Sequence, residues 1–304
     1  MSKPTLKSNE ASFAIRDYDL AATLGCGQAF RWEFREGRWL GIVGKNLVAL
    51  EQHTPSFSPS EKREGEVFAR TSTPQDNWRW LEDYLQIHAD FPAILATFPQ
   101  DAPMQKAVAQ CRGLRLLRQE TWECLASFIL SSTKQIVQIR QIVARLCERH
   151  GEPIAGWDGQ TAAFAFPTAE QIARLSEAQL RECKMGFRAP YLLAAARSVA
   201  SGELDLAGLG RLELAEARVQ LLGLPGVGPK IADCVLLFAC GFPTAFPVDV
   251  WVMRALRQAY FRNHRVPLAR LRDFSATHFG PYGGYAQQYL FHALRLGEGK
   301  KLSH

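Results

Sequence analysis

Lys230 and Asp249 are the residues whose types and setting point most directly to chemistry. Lys230 closes the stretch Leu222-Gly223-Leu224-Pro225-Gly226-Val227-Gly228-Pro229-Lys230, which runs on into Ile231-Ala232-Asp233-Cys234. A helix stopping near Gly223, a tight Pro-Gly-Val-Gly turn and a second helix starting at Pro229 predict a helix-hairpin-helix over 222–234. Proline suits the first position of a helix, where its missing N–H has no intrahelical partner. The glycines tolerate positive φ and let a phosphate approach the backbone of Gly226, Val227 and Gly228. A lysine in the next turn meets the positive end of the helix dipole, which favours the neutral amine. Such an amine is a nucleophile and forms a Schiff base with a sugar aldehyde. The bland alternative is a solvated lysine contacting phosphate. Cys234, four residues on, shares the helical face, so a thiol–amine pair is open to it.

Asp249 sits in Phe246-Pro247-Val248-Asp249-Val250-Trp251, at the head of another apolar helix. Taken alone, an aspartate there is an ordinary N-cap. It can also stabilise positive charge developing on a sugar, and one residue can serve both ends. With Lys230 nineteen positions earlier, the second role gains weight.

The chain must supply elements to bring these groups together. It has 304 residues, enough for two domains, and 47% are hydrophobic, so it can bury substantial cores. Lys and Arg exceed Asp and Glu by 36 − 30 = 6, which permits a polyanionic partner without demanding one. Seven scattered cysteines without Cys-x-x-Cys spacing argue against a secreted disulfide framework and an iron–sulfur cluster. No His-x-x-x-His pair marks a zinc site, so no cofactor is expected. Met1 to Ala11 has no apolar core of a signal peptide, and no long apolar run suggests a membrane span. These features predict an intracellular, soluble protein.

The N-terminal part reads as sheet. Residues 12–55 are strand-like: Ala29 to Phe34 alternates apolar and polar residues, Glu36-Gly37 can turn, and Arg38 to Val43 returns. His53 to Gly65 reads as a loop. From Trp78 a helical face of Trp80, Leu81, Tyr84 and Leu85 appears. Beyond about residue 101 the pattern is almost wholly helical, with helices predicted at 120–132, 136–150, from 168, and at 176–184, 189–201, 213–222, 229–240, 249–262, 267–278 and 284–295. Gly156 to Pro167 reads as irregular. The predicted fold is α+β: an N-terminal twisted antiparallel sheet domain over 1–105, then a helical domain over 106–304.

Leu-Pro-Gly-Val-Gly-Pro-Lys-Ile-Ala-Asp-Cys followed by Pro-Val-Asp-Val resembles the helix-hairpin-helix (HhH-GPD) superfamily of DNA glycosylases, and more narrowly the 8-oxoguanine DNA glycosylases. The narrower likeness includes Gly27-Gln28-Ala29-Phe30-Arg31-Trp32, Glu123 through Ser132, Gly186-Phe187-Arg188-Ala189 and Gly280 through Gln287, nearly the whole chain. It implies a base-excision-repair enzyme acting, as a monomer without a cofactor, on double-stranded DNA containing 8-oxoguanine. A flipped base is required, because its glycosidic bond is unreachable in a duplex. The resemblance makes Lys230 the nucleophile at C1′ and of the following β-elimination, with Asp249 stabilising the cationic sugar. It has Cys234 and Phe291 sandwich the base, Gln287 read its Watson–Crick edge, and the Gly27 carbonyl accept the N7–H that 8-oxoguanine has and guanine lacks. A mismatch there costs about 1–3 kcal/mol.

Departures concentrate at the opposite strand. Eukaryotic members carry an Asn-Asn-Asn run where this chain has Thr133-Lys134-Gln135, and their next cytosine-reading arginine aligns with Gln138. Arg188 retains the second such arginine. Phe187 replaces the wedging tyrosine, and Trp251 a phosphate-contacting histidine. An amide cannot fully reproduce a guanidinium, so the preference for cytosine opposite the lesion is expected to be weaker. With a chain that stops soon after its last helix, at Lys300 to His304, these departures point to a bacterial member. Two other readings are a monofunctional alkylated-base glycosylase, which keeps the aspartate but lacks the lysine, and a non-catalytic hairpin module that holds duplex DNA.

Overall fold

Alternation along the strands decides which face of the sheet is buried. In β5 (Glu64–Gln75), Val67, Ala69 and Thr71 point inward while Phe68 is exposed, the two-residue period of a pleated strand. β5 lies between β1 (Ser8–Arg16) and β4 (Asn46–His53), and the order β1-β5-β4-β3-β2 is completed by β3 (Arg38–Val43) and β2 (Trp32–Arg35), all antiparallel. Glu36 and Gly37 join β2 to β3 with φ of 50° and 82°. Two positive-φ residues make the turn whose twist suits a two-residue hairpin. The computed structural model describes residues 7–53, 64–132 and 135–302, with side chains as far as 297. Most of the loop expected over His53–Gly65, together with Thr133, Lys134, Ser303 and His304, lies outside the described residues.

The sheet is closed on one side by α1 (Leu20–Gly25) and α2 (Arg79–Leu85). The first of these corrects the reading of 12–55 as strand throughout: the Asp19 carboxylate accepts from Ala22 N at 2.8 Å and starts a helix there. Ala29 and Phe30 also lie outside β2. Their alternation with Trp32 is real, but Phe30 packs into the helical core and Trp32 into the sheet core. The length of β5 was likewise not legible, because its outer face is polar.

After α3 (Phe91–Ala96) and α4 (Ala102–Cys111) the chain is helical, and side-chain caps set several starts. Glu120 accepts from the amides of Trp122 and Glu123 at the head of α5 (Thr121–Leu130). α6 (Ile136–His150) follows. Gly156–Pro167 is not irregular throughout: β6 (Pro153–Ala155) and β7 (Thr161–Phe164) pair antiparallel, packing Ile154 against Leu47 of β4. Alanines at 162 and 163 hid that strand. Thr168 and Ser176 form capping boxes with Gln171 and Gln179, opening α7 (Ala169–Ala173) and α8 (Glu177–Glu182). α9 (Ala189–Ala200), α10 (Leu214–Leu222) and α11 (Pro229–Val235) come next. A π turn over Leu236–Cys240 continues α11 and stops at Gly241, φ 87°. α12 (Val250–Tyr260), α13 (Leu268–His278) and α14 (Gly283–Leu302) complete the fold.

No single residue separates the two cores. The helical core takes Cys26, Phe30, Phe91, Ile94 and Phe98 from the N-terminal part, while Leu117 joins the sheet core. Arg31 at the entrance to β2 pairs with Glu123 of α5 at 3.6 Å and donates to the Phe164 carbonyl. Among the described residues no helix is long and apolar enough to cross a membrane.

Candidate active site

α10 and α11 are the two arms of the predicted hairpin. Leu221, Leu224, Val227 and Ile231 are buried and anchor it, and the Val227 amide donates to the Leu224 carbonyl at 3.1 Å, closing the turn. Gly226 takes φ 79°, and a Cβ there would meet the Tyr191 ring at 2.4 Å, so glycine is needed both for the conformation and for the room. Gly228 is the cap residue and Pro229 the first helical residue, which leaves Lys230 in the first turn.

Lys230 reaches toward α5. Its Nζ donates to Ser131 Oγ at 3.2 Å and lies 4.9 Å from the centroid of the Phe128 ring. Ser131 Oγ in turn donates to the Phe128 carbonyl at 2.7 Å, so the hydroxyl presents a lone pair to the amine. Asp249 caps α12, one carboxylate oxygen accepting from Val252 N at 2.8 Å. The cap uses one oxygen of two. Both roles read for this residue are therefore geometrically compatible.

These groups line a cavity of about 430 Å³. Lys230, Cys234, Asp249, Trp251, Gln287, Phe291 and Gly27, predicted from sequence positions far apart, all border it. Aromatic walls are supplied by Phe30, Phe128 and Phe238, the last two stacked with centroids 5.7 Å apart. Gln287 is buried, and its Oε1 has no hydrogen-bond partner among the described residues. A buried amide oxygen left without a donor is costly, and here it belongs to a residue on the cavity wall. Gly27 has φ 89°, and a Cβ on it would come within 2.8 Å of Ile136 Cδ1. Burial pushes the Cys234 thiol up to about 12, the nearby Lys230 amine offsetting only part of this. The thiol–amine pairing open to the sequence is therefore a neutral thiol beside the amine, not a thiolate ion pair.

The other predicted residues that the structure describes lie outside the cavity. Gly226, Val227 and Gly228 form the hairpin turn. Phe187 is 54% exposed, with Tyr191 edge-on to it at 6.4 Å. Arg188 is buried beside it, donating to the Met185 carbonyl at 3.3 Å and to the Ser132 carbonyl. Gln138 is exposed on the first turn of α6, where its Oε1 accepts from the Gln135 amide at 3.3 Å. Thr133 lies outside the described residues. Among the described residues no group of three or more His, Cys, Asp or Glu could hold a metal ion.

Sequence reasoning missed Ser131, Gln288 and Arg295 at the cavity. One signal was available: Gln287, Phe291 and Arg295 recur every four residues, so they share one face of α14.

Two family models match consecutive parts of the chain. Residues 12–125 match the family model of the 8-oxoguanine DNA glycosylase N-terminal domain, and residues 126–273 that of the HhH-GPD superfamily base excision DNA repair proteins. An N-glycosylase/DNA lyase of Arabidopsis thaliana is 29% identical over 291 residues, 90% of this chain and 76% of that protein. The N-glycosylase/DNA lyase of Saccharomyces cerevisiae is 34% identical over 62% of this chain and 59% of its own length. The Clostridium acetobutylicum 8-oxoguanine glycosylase/lyase, solved with double-stranded DNA containing cytosine opposite 8-oxoguanine, superposes with a TM-score of 0.83. It is 31% identical to this chain, and the match covers 93% of each.

Proposed function

The chain belongs to the 8-oxoguanine DNA glycosylases of the HhH-GPD superfamily, and from that premise we propose how its own residues carry out base excision and strand cleavage. It is a bifunctional DNA N-glycosylase and abasic-site lyase acting on 8-oxoguanine in duplex DNA. One observation carries the assignment of roles: Lys230, Asp249, Cys234, Gln287, Phe291 and Gly27 border a single cavity.

The flipped base enters between Cys234 and Phe291. The Gln287 Oε1, which has no partner among the described residues, accepts from the base's Watson–Crick edge, and the Gly27 carbonyl accepts from N7–H. The Lys230 nitrogen bonds to C1′ as the C1′–N9 bond breaks, and the electron pair departs with the base, which takes up a proton. Asp249 stabilises the positive charge on the sugar during this exchange. The nitrogen then sheds a proton, the C1′–O4′ bond opens with O4′ taking one up, and a Schiff base results. Loss of a C2′ proton expels the 3′ phosphate. An amine and a carboxylate suffice for both steps, so no cofactor enters the scheme. The scheme calls on residues of one copy only, so the protein is read as a monomer, and its scattered cysteines suit a reducing interior.

The hairpin turn holds the DNA backbone, and the exposed Phe187 ring wedges the duplex. With Gln138 in place of an arginine, cytosine opposite the lesion is preferred less strongly than in eukaryotic members. Comparing cleavage opposite each of the four bases tests this, and a strong cytosine preference would overturn it.

The central test is reductive trapping. Borohydride added during reaction with an 8-oxoguanine duplex is expected to give a covalent protein–DNA band that Lys230→Gln, still binding DNA, fails to form. No band from the unaltered protein would overturn the assignment of Lys230.

A further inference from the structure

Gly27 is held from both sides by residues that take no part in the bond changes above. On its C-terminal side the Gln28 carbonyl accepts from Gln119 Nε2 at 2.7 Å. The buried Gln28 side chain bonds the carbonyls of Thr23 and Arg115 and the amide of Leu117. On the N-terminal side the Cys26 carbonyl accepts two bonds from α14, from Arg295 Nη1 at 3.2 Å and Gln288 Nε2 at 3.4 Å. The Arg295 bond spans 269 residues of chain.

The Cys26–Gly27 peptide is planar, so fixing its oxygen fixes the plane from which Gly27 departs. A glycine without such restraint has more freedom than any other residue. Here φ is held at 89°, and a Cβ would lie 3.2 Å from Arg295 Nη1 as well as against Ile136. The same guanidinium lies 5.4 Å from the centroid of the Phe291 ring. One side chain thus touches the segment that presents the Gly27 carbonyl and the ring that would cover the base.

A purely structural explanation fits this residue poorly. Among the described residues no carboxylate lies within ion-pair distance of Arg295; Asp249 attracts it only from farther off, and burial outweighs that attraction, which makes the buried charge unfavourable. A leucine or methionine would cover Phe291 without that cost. What it could not do is donate to the Cys26 carbonyl.

The geometry points to Arg295, assisted by Gln288, as a positioning residue for lesion recognition. It sets the Gly27 carbonyl and the Phe291 ring in the arrangement that accepts a flipped 8-oxoguanine, and it serves base recognition rather than the lysine chemistry. This rests on the glycosylase/lyase reading, and a comparison of two substrates separates the two. Cleavage of a preformed abasic site needs Lys230 but has no base to recognise. Arg295→Met keeps the apolar stem and removes the donor. Under single-turnover conditions its excision of 8-oxoguanine is expected to fall about tenfold or more, with abasic-site cleavage within about twofold of the unaltered protein. Arg295→Lys recovers most of the loss, and Gln288→Met, which removes a longer, neutral bond, shows a smaller loss of the same kind. Excision at the original rate in Arg295→Met overturns the proposal, as does equal loss of both reactions in both methionine variants. Failure of the underlying reading appears elsewhere, as unaltered protein that cleaves neither substrate.

Discussion

Asp249 shows how one residue can be legible twice and still need a structure to resolve it. As a cap it accepts from Val252 N, and as a cavity residue it faces the same space as Lys230. Asparagine is as good a cap as aspartate, whereas alanine forfeits about 1 kcal/mol. Asp249→Asn is therefore expected to melt within a degree or two of the unaltered protein. Its base excision should fall about a hundredfold or more, because the negative charge is gone. Asp249→Ala should lose both stability and activity. Melting curves beside single-turnover excision decide it, and if Asp249→Asn retains full activity the carboxylate is only a cap. Cys234 illustrates the opposite limit. Four-residue spacing placed it beside Lys230 correctly, but its protonation depends on burial, which the spacing does not encode.

At the scale of elements, the hairpin was readable because its glycines and proline carry definite backbone demands. Those demands differ within three residues. Gly226 has positive φ and the Tyr191 ring beside it, while Gly228 lies at φ −92°, and a methyl added there would meet nothing within 4 Å. Gly226→Ala should thus cost about 1–2 kcal/mol of left-handed strain before any clash, lower the melting temperature and weaken duplex binding. Gly228→Ala, which meets neither strain nor clash and loses only the difference between glycine and alanine as a cap, should lower the melting temperature less. Equal melting of the two variants would refute the argument. Less legible was the joint between sheet and helices made by Arg31 and Glu123, since neither residue's neighbours announce a partner 92 positions away in the chain. Glu123 keeps 20% of its side chain exposed, so removing Arg31 should cost about 2 kcal/mol, below the roughly 3–5 of a fully buried pair. The sign with pH follows from the carboxyl. Burial raises its pKa in the folded protein and Arg31 lowers it. Without Arg31 the folded pKa rises further above the unfolded one, so the folded state then favours the protonated acid more strongly. The deficit of Arg31→Met is accordingly greatest at neutral pH and shrinks as pH falls through the raised pKa. Denaturant melts at pH 5 and pH 7 measure it, and a deficit that grows on acidification sinks the account.

Across the whole molecule, helix and strand periods distinguished a sheet region from a helical one, because each is a local property of ten or so residues. Membership of a core is not local. Phe30 belongs to an apolar alternation that reads as strand, yet its ring lies edge-on to Phe128 at 5.5 Å in the helical core. Phe91, also before residue 105, stacks on Tyr289 of α14 with centroids 6.4 Å apart. The cavity inherits this interleaving, since Gly27 and Phe30 face Lys230, Asp249 and Phe291 across it. A polypeptide of residues 106–304 would lose Phe30, Phe91 and Arg31 at once. Truncating a single buried phenylalanine costs about 3–5 kcal/mol, against a total stability of about 5–15 kcal/mol for a typical folded protein. The full chain is therefore expected to unfold in one transition seen alike by tryptophan fluorescence and circular dichroism. The 106–304 fragment should show no cooperative melt and form no borohydride-trapped adduct. Two resolved transitions in the full chain, or a fragment that folds and traps DNA, would show that the helical half stands alone and that the sheet is an accessory to it.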